Sequence, residues 1–242
     1  MAECQPVESI PFELTDTDRE NLAGGDENFQ PHTWTELQRI IGGRCMSSSP
    51  ALLLLLFSSL FSPCIAPNDL SILKRKPSDL MRYIAWTNQT KAAYGSITNF
   101  ILQQRLFWEP IPSSNSESGP RFDCLNHIPF AAKDDFKILL NDWPYGISAG
   151  ITHLIVWSKV RLPDQKPEGF LIPWSTALVQ EFVRETFVDR LAAKGMRSPE
   201  DNVLWFRNWT GLQSVRGLEH VHVLVRDAPK DLLQAWMEED GV

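Results

Sequence analysis

Four cysteines are all that 242 residues supply, at positions 4, 45, 64 and 124, and no two form a Cys-x-x-Cys pair. That scarcity excludes a disulfide framework and a cysteine-built structural zinc site, and it points to a reducing compartment. Positive charge is scarce as well: 23 Lys and Arg stand against 30 Asp and Glu, for a net charge of -7. A protein that grips a phosphate backbone draws its affinity from clustered cations, so nucleic acid is not an expected partner. The one compact basic run, Lys74-Arg75-Lys76 before Pro77, reads as the solvated approach to a helix or as a localisation or docking element. The start, Met1-Ala2-Glu3-Cys4, has neither the basic nor the apolar region of a secretory leader. Asn88-Gln89-Thr90 and Asn208-Trp209-Thr210 are therefore read as accidental glycosylation sequons. The expected compartment is the cytoplasm, with the nucleus also open.

A long apolar run is missing too. Leu52-Leu53-Leu54-Leu55-Leu56-Phe57 is interrupted by Ser58-Ser59 and ended by Ser62-Pro63. A spanning helix needs about 20 apolar residues, so stable membrane insertion is not expected and a buried or interfacial segment is. From Arg44 to Pro67 the composition turns abruptly to Ser, Leu, Phe, Cys and Pro. Removing that atypical insert would join Gln38-Arg39-Ile40-Ile41 to Asn68-Asp69-Leu70 as one helical neighbourhood, which makes a retained intron a second reading of it.

What remains is ample for a core: 43% of the residues are hydrophobic, and one elaborated domain is expected. Residues 1–10 read as a flexible tail and 11–109 as a helical region. Thr15 and Asp16 offer caps for a short helix; Thr33 with Glu36 forms a capping box ahead of Leu37, Ile40 and Ile41. Ser78 and Asp79 are expected to cap a helix through Leu80, Tyr83 and Trp86, and a further helix carries Ile97 to Leu106. Residues 110–121, rich in Pro, Ser and Gly, form a linker where a domain boundary could fall. Within 122–242 the pattern changes. Residues 136–140 and 152–157 read as a hairpin around Asp142-Trp143-Pro144-Tyr145-Gly146. Ser175 is expected to cap a long helix ended by Gly195; residues 203–206 and 218–225 are strands, and 229–237 a last helix.

The strand Leu218-Glu219-His220-Val221-His222-Val223-Leu224-Val225 carries the chemistry, because alternation places His220 and His222 on one face. Neutral imidazole is a competent nucleophile and proton carrier near neutral pH once its tautomer is fixed. The competing reading is a pair of core histidines bonded to carbonyls. Metal ranks last: His153 is the only further histidine in the region, and no carboxylate or thiol pattern accompanies it. Neither metal nor cofactor is expected. Trp143, Trp157, Trp205 and Trp209 surround the proposed site as core residues or as platforms for a base or sugar.

The order of hairpin, long helix, strand with Asn, polar loop and strand with His-x-His resembles the histidine triad (HIT) superfamily of nucleotide hydrolases and transferases. The resemblance covers residues 136–226 and rests on Thr152 to Lys159, Asn208, Gln213-Ser214-Val215 and His220 to Leu224. It implies an α+β fold with a HIT-like antiparallel sheet and a long helix, here wrapped by N-terminal helices. It also implies a nucleotide or sugar-nucleotide ligand. By this likeness His220 takes the nucleophile's place, His222 that of its partner, and Gln213 and Ser214 those of phosphate donors. Asp142, His153, Asn208 and Arg216 are the remaining candidate contacts. The motif's first histidine falls at Leu218; shifting the register makes His222 the nucleophile and puts the missing histidine at Leu224. A binding protein on an enzyme scaffold is the alternative function.

A second resemblance spans nearly the whole chain. Lys74 to Leu80, Tyr94 to Asn99, Asn141 to Gly146, Thr152 to Leu154 and Gln213 to Arg216 are similar to the fungal N-acetylglucosamine-induced protein family, a domain of unknown function. It implies a connection to amino-sugar metabolism. Oligomeric state has no signature in the sequence.

Overall fold

In the computed structural model, the described residues are 14–41, 70–112, 119–215 and 217–238. The leucine-rich insert, the N-terminal tail, residues 113–118 of the Pro/Ser/Gly stretch and Arg216 lie outside them.

Four strands form an antiparallel sheet: β1 (Phe136–Leu140), β2 (Ile151–Ser158), β5 (Val203–Phe206) and β6 (Glu219–Arg226), in the order β1-β2-β6-β5. The short strands β3 (Asp164–Gln165) and β4 (Phe170–Leu171) pair separately. Strand alternation gives the two sheet faces different chemistry. Val221, Val223 and Val225 of β6 join Leu154 and Val156 of β2 on one face. Helix α5 (Pro173–Val183) continues through a π turn at Arg184–Val188 into α6 (Asp189–Ala193), and its Val179, Phe182 and Phe187 cover that face. Helix α7 (Lys230–Glu238) adds Leu232 and Trp236 to the same core.

The opposite face of β6 shows His220, His222 and Leu224, which pair in register with Trp157, Ile155 and His153 of β2. Over it lie α1 (Asp16–Gly24), α2 (Trp34–Ile40), α3 (Pro77–Tyr94) and α4 (Ile97–Ile101), the last extended by a π turn to Leu106. Leu37 and Ile40 of α2 reach Phe206 and Leu224, while Ile97 and Ile101 of α4 reach Trp157 and Leu218. The result is an α+β molecule of three layers, helices over each face of one sheet.

Local signals explain the early helices. Thr15 and Thr33 both cap as reciprocal boxes, with Asp18 and Glu36. Two helix starts differ from the sequence reading. Helix α3 begins at Pro77, whose fixed φ suits the first helical position. The Ser78 N–H is satisfied from outside the helix by Asp26 Oδ1 at 2.8 Å. Helix α5 begins at Pro173 with Ile172 as its cap, because the buried Ser175 hydroxyl donates to Pro163 O at 2.7 Å. Among the described residues no helix is long and apolar enough to cross a membrane.

Candidate functional site

The space between the histidine face and the N-terminal helices is a cavity of ≈ 790 Å³. His220 and His222 form part of its floor; Asp142 and Trp143 come from the β1–β2 loop, Asn208, Gln213 and Ser214 from the β5–β6 loop, and Arg75, Trp86 and Arg105 from the helical layer.

His220 is fixed by its own strand. Its Nδ1 lies 2.9 Å from Leu218 O, and since a carbonyl only accepts, Nδ1 carries the proton and Nε2 the lone pair. Nε2 has no hydrogen-bond partner among the described residues. The ring rests on Trp157 at 4.7 Å between centroids. Burial lowers the His220 pKa against the opposing Leu218 bond, so the imidazole is neutral at pH 7.

His222 meets His220 edge-on at 5.3 Å between centroids but makes its hydrogen-bond contacts elsewhere. Its Nδ1 is 3.0 Å from His153 Nε2, its ring stacks on Phe206 at 4.7 Å, and its Nε2 is 3.4 Å from Asn208 Nδ2. The proton order follows from Asn141, whose Oδ1 accepts the Trp143 N–H at 3.0 Å and whose Nδ2 sits 3.3 Å from His153 Nδ1. An amide nitrogen donates, and although the same Nδ2 is also 3.4 Å from His153 Nε2, assigning its shorter contact makes His153 Nδ1 the acceptor, His153 Nε2–H the donor to His222 Nδ1, and His222 Nε2 the seat of that ring's proton. That N–H faces the Asn208 amide, which Tyr145 also approaches through its hydroxyl at 3.4 Å. Asn208 Oδ1 is buried without a partner among the described residues. Exchanging the amide's O and N satisfies His222 and Tyr145 but leaves the nitrogen in the orphan's place. Either way one polar atom of a cavity-lining residue is buried without a partner among the described residues.

Both histidines of this pair are neutral. Burial, assisted by the Arg75 charge, pushes His153 down to about 3. Burial first, then the neighbouring histidines and Arg75, hold His222 well below the ordinary value.

The structure brings together on one cavity His220, His222, Asp142, Asn208, Gln213 and Ser214, with His153 behind His222. Gln213 already donates one amide N–H to Asn208 O at 2.7 Å, and Asp142 is ion-paired with Arg105 at 2.9 Å. Of the tryptophans, 143 and 157 line the cavity and 205 packs against the opposite core. Arg207 is not a surface group: its side chain, 7% exposed, is engaged by Glu219 at 2.7 Å and Asp164 at 3.1 Å. Asn208 is 5% exposed, which leaves no room for a glycan on the second sequon. Arg75, Asn141 and Tyr145 are site residues that sequence reasoning missed. All three fall inside strings quoted for the family likeness, where they passed for a basic run and a turn. Among the described residues no group of three or more His, Cys, Asp or Glu is placed to hold a metal ion.

Fold and site together define an α+β protein with a roofed, histidine-floored cavity. Residues 60–226 match the family described as protein of unknown function (DUF3605), and the chain belongs to that family. It is 27% identical over 209 residues to N-acetylglucosamine-induced protein 1 of Candida albicans, covering 83% of this chain and 70% of that protein. It is 28% identical over 162 residues to the uncharacterized protein YPL067C of Saccharomyces cerevisiae, covering 66% and 74%. Among solved structures, the crystal structure of HTC1 is similar at 26% identity and a TM-score of 0.49, covering 70% of this chain and 83% of that one.

Proposed function

We propose that the protein is a hydrolase or transferase of nucleotides or sugar nucleotides that works through a covalent adduct on His220, in a pathway of N-acetylglucosamine use. The observation that carries this reading is the Leu218 carbonyl, which locks the proton on Nδ1 and leaves the Nε2 lone pair at the cavity wall. In the first step Nε2 bonds to phosphorus while the P–O bond to the leaving group breaks, its electron pair staying on that oxygen. Leu218 O supports the imidazolium so formed through the Nδ1–H. Water or an alcohol then attacks phosphorus, the P–N bond breaks, Nε2 regains its lone pair, and the incoming proton passes to solvent. Gln213 and Ser214 supply donors for the charged oxygens. His153 and His222 are neutral at pH 7, so neither is a ready cationic acid, which favours leaving groups already stable as anions, such as phosphates. The amino-sugar link is drawn from the name of the Candida relative.

A second reading is a ligand-binding regulator with the same pocket. The pairing of His222 with His153 favours it, since His220 then lacks the histidine partner that the three-histidine motif provides.

One experiment separates the two. Purified protein is incubated with sugar nucleotides and nucleoside di- and triphosphates, whose leaving groups are stable anions, and products and intact mass are followed. Catalysis predicts turnover that drops by roughly three orders of magnitude or more in His220→Ala, and a phosphorylated or nucleotidylated wild-type species. Ligand binding with no turnover in the wild type leaves the regulator.

A further inference from the structure

Arg75 is the cavity residue whose chemistry is most incomplete. The backbone of Lys74 and Arg75 is held from three directions. Lys74 N–H donates to His32 Nε2 at 3.3 Å, Lys74 O accepts from Gly146 N at 2.8 Å, and Arg75 O accepts from Asn21 Nδ2 at 2.5 Å. The side chain lies between two rings, with Cζ 4.5 Å from the Tyr83 centroid and 5.1 Å from that of Tyr145. Its Nε donates to Trp143 O at 3.3 Å. The stem and inner nitrogen are thus fixed, and the guanidinium is aimed.

Its outer edge is unused. The two terminal nitrogens carry four N–H donors, and none meets an acceptor among the described residues. No carboxylate there is within ion-pair reach. The acids that share the cavity are engaged elsewhere: Asp18 Oδ2 accepts from Thr15 N and Oγ1, and Asp142 holds Arg105. Arg207 shows what a structural arginine looks like in this protein, with acceptors on all three of its nitrogens. An aimed guanidinium, stacked on aromatics and left without a counter-ion inside a cavity, has the geometry of a bidentate oxyanion receptor. It is also beside the other unfinished group, because Tyr145 holds Arg75 over its ring and Asn208 at its hydroxyl.

We propose that Arg75 is the anion anchor of the cavity, taking two oxygens of a ligand's phosphoryl group on its terminal nitrogens. The ligand class is a small phosphorylated compound, as a phosphomonoester or diphosphate. The inference rests on the reading of this cavity as a site for phosphorylated molecules, and does not require chemistry at His220.

The test is calorimetric titration of the full-length protein with inorganic phosphate, pyrophosphate, N-acetylglucosamine 1-phosphate and uncharged N-acetylglucosamine, at low and raised salt. Wild type binds the phosphorylated sugar more tightly than the uncharged one, and salt weakens that binding. Arg75→Gln loses roughly 10- to 100-fold in affinity for the phosphorylated probes, the scale of one charge-assisted contact pair, and nothing for the uncharged sugar. Arg75→Lys, which keeps the charge without the fork, falls between. Pyrophosphate and inorganic phosphate binding without the sugar phosphate identifies a free oxyanion as the ligand and still depends on Arg75. Affinity within twofold of wild type in a folded Arg75→Gln overturns the proposal. If that variant does not fold, wild-type binding that ignores salt, or no binding of any phosphorylated probe, overturns it. Arg75-dependent binding without turnover sinks the catalytic reading alone; turnover with unchanged KM in Arg75→Gln sinks this inference alone.

Discussion

At the level of single side chains, burial decides what the histidines can do. His153, His220 and His222 are each at most 6% exposed, and each is held below its ordinary basicity chiefly by loss of water. An unfolded chain returns them to about 6.5, so as pH falls through that value the unfolded state takes up protons that the native state refuses. Their contribution to stability is complete above pH 6.5 and is lost on acidification toward the folded values. With His153 at about 3, its share of the loss between pH 7.5 and 5 is about 2 kcal/mol. Urea unfolding at the two pH values is expected to show a drop of at least that size, and His153→Gln, which keeps hydrogen-bonding groups without a titratable ring, to show a smaller one. A midpoint unmoved by acid would contradict neutral burial. The two strand histidines were legible because alternation is a local property. Their partners were not, since His153 lies 69 residues from His222 in sequence and Leu218 contributes a carbonyl, which no side-chain pattern records.

Secondary-structure elements were legible where their signals are self-contained. The Thr33 and Glu36 box closes within one helical turn and is visible in four letters. The start of α3 is not, because the acceptor for Ser78 N–H is Asp26, 52 residues earlier. The same holds for the junction between the β5–β6 loop and β6, where Glu219 accepts from Arg207 Nε at 2.7 Å and from Leu162 N at 3.3 Å. Glu219 precedes His220 directly, so this buried pair fixes the end of the strand that bears the site. Removing one partner strands the other: Arg207→Met is expected to cost about 3–5 kcal/mol in chemical denaturation, and adding Glu219→Gln to recover part of it. Additive losses would show that the two do not act as a pair.

Across the whole molecule, the expected sheet wrapped by helices describes the layering, but nothing in the sequence announced that the wrap would enclose a cavity. That property depends on Arg75, Tyr83 and Trp86 meeting residues far along the chain. The chain leaves the described part after Ile41 and returns at Leu70, and both residues are buried in one cluster with Leu37 and Phe206. That shared cluster is the basis for expecting the fold to tolerate a shorter connection between them. Deleting residues 44–67 is expected to leave Tm within about 3 °C, less than about 1 kcal/mol for a chain of this size. A loss of more than about 10 °C would assign the insert to the core.

The cavity's roof and floor come from opposite ends of the chain, the helices before residue 107 and the strands after residue 135. A proteolytic cut that strips the leading helices would spare every imidazole of the floor and still uncover it. Flooded by solvent, His220 and His222 would regain ordinary basicity and spend part of their time as cations, and neither Arg75 nor Arg105 would be left overhead. Loss of the leading helices therefore changes the character of the floor without altering any residue that forms it.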